Sequence, residues 1–375
     1  MNSRITSAQS EIPAFTYLRA WNKHADEIRA AIDRVLNSGT LILGPEVAEF
    51  ENEFAQFVAS RFAIGVSSGT DALIVALRAL KVTSGDEVIT VANGPVPTIA
   101  AIRAVGAVPK FIDVDRNSLQ IDPGRLIGAM TDRTRCIIPI HLYGFPAPIE
   151  EIINIAGARN IPVIEDCAQA HGTYVAGRHA GTLGTIGCFS FYPTKNLGAF
   201  GDGGLCVTQD EELATKIRQI ARYGFREDRI AYCEGLNCRL DELQAAILRV
   251  RLRYLRSDLR RRTEIAARYC TELVSSALTL PAIPSSGTHA WHLYVARVQQ
   301  RSRWIERLKE HGILTGVHYP NPVHLMPAFQ WLGYSAGDLP VTEHVCREVL
   351  SLPMFPELTD AEIDRVIDVL RSVGQ

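Results

Sequence analysis

Gly187-Cys-Phe-Ser-Phe-Tyr-Pro-Thr-Lys195-Asn-Leu-Gly-Ala-Phe-Gly-Asp-Gly-Gly-Leu-Cys-Val-Thr208 is a pair of short apolar runs separated by a glycine-rich turn. Runs of this length, bounded by glycine and proline, read as buried strands. The same signature recurs upstream at residues 62–66, 87–92, 108–113, 136–142 and 163–165, alternating with helical segments such as 71–80 and 149–158. Continuously apolar strands interleaved with helices predict an α/β fold, with a mostly parallel seven-stranded sheet covered by helices on both faces. The run from Gly198 to Gly204 is not a dinucleotide fingerprint, because a strand and not a helix follows it.

Beyond residue 210 the pattern changes. Helical segments at 210–222 and 239–273 lead into a Pro/Ser/Gly stretch at 280–288. A smaller α/β unit is then expected, with strands at 292–298 and 313–317 and helices at 302–311, 341–350 and 361–372. Thr359 and Glu362 have the spacing of a capping box for the last helix. The chain thus divides into a large domain over residues 1–250 and a small C-terminal domain over 251–375.

The 375 residues are 47% hydrophobic and 21% charged, the usage of an ordinary globular protein. A formal charge of −2 gives no general attraction for nucleic acid or an anionic membrane. No apolar run is long enough for a membrane span, and the first 30 residues lack the apolar core of a secretory signal. The eight cysteines include no C-x-x-C pair, so reduced thiols in a cytoplasmic protein are expected. No metal is expected either: His289 and His292 stand three apart without further ligands in sequence reach.

Lys195 follows an apolar strand and precedes a flexible turn, a position from which a desolvated amine attacks a carbonyl. The same position suits a lysine that only snorkels from a strand end. Val163-Ile-Glu-Asp166 ends another strand with two carboxylates, where open α/β sheets bind ligands. Asp166 there is either the anionic partner of a protonated pyridine nitrogen or a cap for a helix at 167–170. Ser68-Gly-Thr-Asp71 lies between a strand and a helix, the setting of a phosphate site and equally of a simple N-cap.

These segments resemble the DegT/StrS family of sugar aminotransferases, pyridoxal-phosphate enzymes of the aspartate-aminotransferase fold. The resemblance rests on Gly44-Pro-Glu-Val47, Ser68-Gly-Thr-Asp-Ala-Leu73, Gly85-Asp-Glu-Val-Ile89, Pro139-Ile-His-Leu-Tyr-Gly144, Ile164-Glu-Asp-Cys-Ala-Gln-Ala170, Phe189-Ser-Phe-Tyr-Pro-Thr-Lys-Asn196, Gly201-Asp-Gly-Gly204, Gly235-Leu-Asn-Cys-Arg-Leu-Asp241 and His318-Tyr-Pro320, in that order from about residue 12 to 372. It implies that Lys195 forms the Schiff base with pyridoxal 5'-phosphate and shuttles the proton. Asp166 would pair with the pyridine nitrogen, and Gln169 would lie against the ring or its hydroxyl. Gly69, Thr70 and Ser190 would hold the phosphate, together with Asn237 from the second subunit of a homodimer.

The implied reaction moves an amino group from L-glutamate to a nucleotide-linked keto-deoxysugar, with a 3-keto-6-deoxyhexose as the expected acceptor. Alternatives within the resemblance are a cyclitol aminotransferase and a sugar dehydratase. Outside it stands a non-catalytic regulatory protein of the same fold. One block departs from the family: Pro95 stands where an aromatic residue usually stacks on the ring. Substrate contacts are expected from His318, Tyr319 and His324 in a proline-rich loop. Between Arg239 and Glu264, eight arginines face four carboxylates, as on a solvated or intersubunit helix face. Arg239, next to Asn237 in the motif, is a candidate for an anionic substrate group.

Overall fold

The computed structural model describes residues 11–274 and 276–374. Its strands are β1 (Phe62–Val66), β2 (Glu87–Val91), β3 (Val108–Ile112), β4 (Thr134–Ile137), β5 (Ile164–Asp166), β6 (Tyr174–Val175), β7 (Arg178–His179), β8 (Ile186–Ser190), β9 (Gly204–Thr208), β10 (Tyr294–Arg297) and β11 (Val349–Leu352). Its helices are α1 (Leu18–Ser38), α2 (Pro45–Val58), α3 (Gly69–Ala79), α4 (Val96–Ala104), α5 (Leu126–Ala129), α6 (Ile149–Gly157), α7 (Glu211–Ile220), α8 (Glu242–Glu272), α9 (Arg301–Glu310), α10 (Pro340–Glu348) and α11 (Asp360–Val373).

The central strands pair in two sets, β3-β2-β4 and β1-β9-β8-β5, parallel except where β9 runs antiparallel to β1 and β8. Between β4 and β5 lie the isolated parallel bridges Ile137↔Val163 and Ile140↔Asp166. The strand expected to reach residue 142 stops at Ile137, since Pro139 brings no N–H to a ladder. Alternate side chains enter opposite layers. Cys188 and Cys206 pack with α3 and α7, whereas Phe189, Leu205 and Val207 pack with Phe50 and Phe54 of α2 and Leu248 of α8.

A buried carboxylate locks α2 in place. Glu242, at the start of α8, accepts hydrogen bonds from the N–H groups of Gly44, Glu46 and Val47, each at 2.9 Å. It thereby fills the open N-terminus of α2 with a negative charge.

A separate C-terminal core gathers Ile265 and Tyr269 of α8, the antiparallel pair β10–β11, Leu308 of α9 and the inner face of α11. Thr359 and Glu362 form the reciprocal cap expected for α11. Ile12 lies in this core and bridges Ile313, so the chain at Ile12 packs with the C-terminal unit, while Tyr17 and Trp21 pack on Phe200. Two expectations fail here. Residues 313–317 make only single bridges, to Ile12 and Ser351, and Val349 and Leu350, read as the end of a helix, begin the strand β11. A four-residue apolar run carries no period that separates the two states, and pairing with β10 decides it. Among the described residues, no helix is long and apolar enough to cross a membrane.

Candidate active site

A cavity of about 580 Å³ opens where the carboxyl ends of β5 and β8 meet the N-terminus of α3. Lys195, Asp166, Ser68, Gly69, Thr70, Ser190 and Pro95 line it from the sheet side. His292, His318, Tyr319, Ser351 and Met354 line it from the C-terminal unit, with Ala14 and Phe15 from the N-terminal segment. The cavity lies between the two cores, with the strand ends forming its floor.

Lys195 is half-buried at the cavity, and desolvation lowers its amine to about 8 against the attraction of Asp166. A desolvated amine near neutrality has a substantial unprotonated fraction, which a snorkelling lysine lacks. Asp166 is 2% exposed and is raised by burial, opposed by its hydrogen bonds and by Lys195. Its Oδ2 accepts from Thr98 Oγ1 at 2.7 Å and its Oδ1 from the Ala168 N–H at 3.1 Å. Ala168 and Gln169 form a turn, so there is no helix at 167–170 for Asp166 to cap, the alternative reading of this carboxylate.

At α3 the N-cap reading is met and the geometry leaves room for an anion beside it. Ser68 is the N-cap, its Oγ accepting from the Asp71 N–H at 3.1 Å. The N–H groups of Gly69 and Thr70 have no acceptor among the described residues and stand at the cavity edge. Gly69 is obligatory there, because a Cβ would come within 2.5 Å of Ser190 Cβ. The result is a narrow cradle of free N–H groups and hydroxyls at a helix N-terminus, suited to a phosphate.

Comparison with known proteins agrees with this geometry. The model of the DegT/DnrJ/EryC1/StrS aminotransferase family matches residues 22–371. The chain belongs to that family. It is 41% identical over 369 residues to the dTDP-3-amino-3,4,6-trideoxy-alpha-D-glucose transaminase of Streptomyces venezuelae, covering 97% of each chain. It is 42% identical over 362 residues to the dTDP-3-amino-3,6-dideoxy-alpha-D-galactopyranose transaminase of Aneurinibacillus thermoaerophilus, covering 96% of this chain and 99% of the relative. The solved structure of S. venezuelae DesV in complex with a ketimine intermediate superposes with a TM-score of 0.96 at 40% identity, over 98% of this chain and 99% of that one. The protein is thus a pyridoxal-phosphate-dependent aminotransferase.

The residues of the aminotransferase fit that cofactor. A desolvated amine near neutrality, a buried carboxylate able to face a ring nitrogen, and the α3 cradle for a phosphate share one cavity. Pro95 lines the same cavity as the N-cap of α4, offering van der Waals cover without a π face.

Several sequence expectations are redirected. Gln169 is not part of the cavity lining; it is buried behind it, its Oε1 accepting from the Tyr143 N–H at 2.6 Å and its Nε2 donating to the Tyr319 hydroxyl at 3.0 Å. His324 is fully buried between Phe111 and Tyr334 and is paired with Glu343 at 3.3 Å, so it cannot touch a substrate in this cavity. The proline-rich sequence around it resembled a loop, but its short turn is packed inside. Asn237 is exposed, and Arg239 lies in a separate hollow of about 990 Å³ with Arg218, Arg222, Arg226 and Arg229. Neither lines the Lys195 cavity of its own chain.

Sequence reasoning missed Thr98, His292 and Phe15. Thr98 was in view only as the end of the block holding Pro95. His292 was weighed as a metal ligand, yet its ring lines the cavity. No local pattern marks Phe15, which reaches the site by chain reversal.

The arginines of α8 are mostly committed to the protein itself. Arg249 binds Glu46 and Glu53, each at 2.7 Å. Arg253 binds Glu27, and buried Arg262 donates to the carbonyls of Trp291, His292 and Met354. Arg262 therefore fixes the backbone of two cavity-lining residues.

His141, Glu165 and Cys167 are close enough to suggest a metal site. His141 and Glu165 are already engaged, and burial raises the Cys167 thiol and keeps it protonated. His141 Nδ1 accepts from the Ala147 N–H at 3.0 Å, which leaves the Nε2 proton for Glu165 at 2.9 Å. Glu165 also accepts from the N–H groups of Gly181, Leu183 and Gly184. These bonds hold its carboxyl below the ordinary value despite complete burial. A depressed folded value means stability that is present above the unfolded value and lost as pH falls through the folded one. Glu165→Gln, whose amide N–H must face either the Leu183 and Gly184 N–H groups or the Gly181 N–H and His141 Nε2, is expected to destabilise the fold by roughly 3 kcal/mol, measured by denaturant unfolding at neutral pH. An unchanged midpoint would show that the 181–184 turn does not depend on this charge.

Proposed function

We propose that this aminotransferase transfers an amino group from L-glutamate to a nucleotide-linked 3-keto-deoxysugar, acting as a homodimer in the cytoplasm. The observation that carries the reading is the desolvated amine of Lys195 sharing one cavity with buried Asp166. The two relatives named above act, by their names, on dTDP-linked 3-amino sugars. The free thiols suit a reducing compartment.

When bound, pyridoxal phosphate supplies an electrophilic carbon and an electron sink. In this reading Lys195 Nζ would hold the cofactor covalently and, once released, would move the proton between the cofactor and the substrate carbon. Asp166 stays ionised beside the ring nitrogen, because a cation there offsets the burial that otherwise raises its carboxyl. Thr98 and the Ala168 N–H keep that carboxylate aimed. The free N–H groups of Gly69 and Thr70, with Ser190, bind the phosphate. Gln169 acts through Tyr319. His318 and Tyr319 face the sugar.

Asn237 and Arg239 complete the partner's site: both lie away from their own chain's cavity, on a surface rich in arginine and suited to an anionic ligand. The four- and three-stranded sets then serve as one seven-stranded platform of a large domain ending near residue 250, with the smaller domain formed by 251–375 and the segment around Ile12.

Two measurements test this. Purified protein with glutamate and a panel of dTDP-linked 3-keto sugars and inososes is expected to yield an amino sugar by mass, and amination of inososes alone would replace the reading. Mixing inactive Lys195→Ala with inactive Asn237→Ala under subunit exchange is expected to restore about a quarter of wild-type activity, since half the dimers carry one intact composite site. No restoration would place Asn237 outside the partner's site.

A further inference from the structure

Two side-chain amides set the direction of hydrogen bonds in the cavity. The Tyr143 N–H donates to Gln169 Oε1 at 2.6 Å, which fixes the carboxamide and leaves Nε2 as the donor to the Tyr319 oxygen at 3.0 Å. With its oxygen accepting from Gln169, Tyr319 keeps its own proton for another partner, and no other hydrogen bond to this hydroxyl exists among the described residues. Burial pushes the Tyr319 phenol up to about 12, so the proton is present at neutral pH. Tyr319 is a donor.

On the same side of the cavity the opposite polarity is also built. Asn196 Nδ2 donates to the Ala290 carbonyl at 2.9 Å, so its Oδ1 is the atom facing His292 Nδ1 at 3.3 Å. A carbonyl oxygen only accepts, and the proton of His292 therefore sits on Nδ1. Burial, together with the Lys195 and Arg262 cations, holds this imidazole well below its ordinary value and hence neutral. Its Nε2 has no partner among the described residues, and the ring lines the cavity. His292 is an acceptor. The third polar group of this wall, His318, bonds the rotatable Ser351 hydroxyl at 2.8 Å, which leaves its polarity undetermined.

We infer that Tyr319 and His292 together read an α-hydroxyketone: Tyr319 donates to the ketone oxygen of the acceptor sugar, and His292 Nε2 accepts from the hydroxyl on the neighbouring carbon. The inference rests on the nucleotide-sugar reading above and deepens it. It makes Gln169 and Asn196 positioning residues, each acting through the group it orients. A ketone without a neighbouring hydroxyl leaves buried His292 Nε2 without a partner, which is how a polar site rejects a close analogue.

The test separates the half-reactions. In the holoenzyme, Tyr319→Phe is expected to slow the ketosugar half-reaction by at least ~10-fold while the glutamate half-reaction stays within about 3-fold of wild type, followed by cofactor absorbance. Gln169→Glu is expected to reproduce this effect, because a carboxylate captures the Tyr319 proton. The binding readout uses the Lys195→Ala protein, in which the ketosugar does not react. There a dTDP-linked 3-keto-6-deoxyhexose is expected to bind ~10-fold more weakly after Tyr319→Phe or His292→Phe, with the affinity for dTDP alone unchanged. A probe lacking the neighbouring hydroxyl is expected to bind more weakly to the Lys195→Ala protein and to lose nothing further with His292→Phe.

Equal weakening of ketosugar and dTDP, or equal slowing of both half-reactions, would overturn the two-point reading and make these residues general supports of the site. Should His292→Phe lower the melting temperature, the Tyr319→Phe and Gln169→Glu arms still decide. If the Lys195→Ala protein binds none of the keto probes, the nucleotide-sugar reading itself falls and takes this inference with it. Binding that is normal but indifferent to all three variants removes only the inference.

Discussion

Lys195→Ala is expected to lower amination by at least ~10³-fold, because the nucleophile and the proton carrier are lost in one change. The fold is expected to survive. Lys195 makes no side-chain hydrogen bond among the described residues, and its desolvation already works against its charge. Removing it relieves a desolvated cation and leaves Asp166 without an attraction that lowers its carboxyl. The variant should therefore unfold at or slightly above the wild-type temperature while taking up pyridoxal phosphate only non-covalently, without the absorption band that depends on the lysine link. Turnover at the wild-type rate would exclude Lys195 from the chemistry. A collapse of the melting temperature would mean that the activity loss reports unfolding.

Much of this site was legible in the sequence because its parts sit on strand ends. Lys195, Asp166 and Ser190 each follow or close an apolar run, and such runs locate themselves by composition. The α3 cradle was equally readable, since Ser68-Gly-Thr-Asp71 states its own cap. The errors fall where tertiary partners decide. Nothing in the letters of Gln169 says that Tyr143 and Tyr319 claim its amide. His324 looked like a loop residue because prolines flank it, whereas Phe111, Tyr334 and Glu343 enclose it from distant segments. The same cause explains β11, which is a strand because β10 lies beside it, and Ile12, which joins the C-terminal core through Ile313. Residues whose place in the cavity is set by their own strand were readable, and those whose place is set by a neighbour across the chain were not.

Asp166→Asn separates charge from shape at the same site. Asparagine can still accept from the Thr98 hydroxyl or the Ala168 N–H, so the local geometry survives, but the negative charge is gone. In the proposed reading the ring nitrogen would then have no anion to hold its proton, and the electron sink would weaken. The expected loss is ~10²- to 10⁴-fold in both half-reactions, since both use the same sink. A second consequence follows from the sign of the coupling. Asp166 raises the Lys195 amine against the desolvation that brings it to about 8. Without that charge the amine falls further, so the reaction of the apoenzyme with pyridoxal phosphate should reach its plateau at lower pH. Thr98→Val makes the graded comparison. It removes one hydrogen bond that favours the carboxylate, so Asp166 should titrate higher and activity should fall by only ~10-fold. Rates for the two variants, with the pH dependence of cofactor capture, check both steps. Full activity of Asp166→Asn would mean that the carboxylate merely braces the turn after β5, and an unshifted pH profile would mean that Lys195 does not feel it.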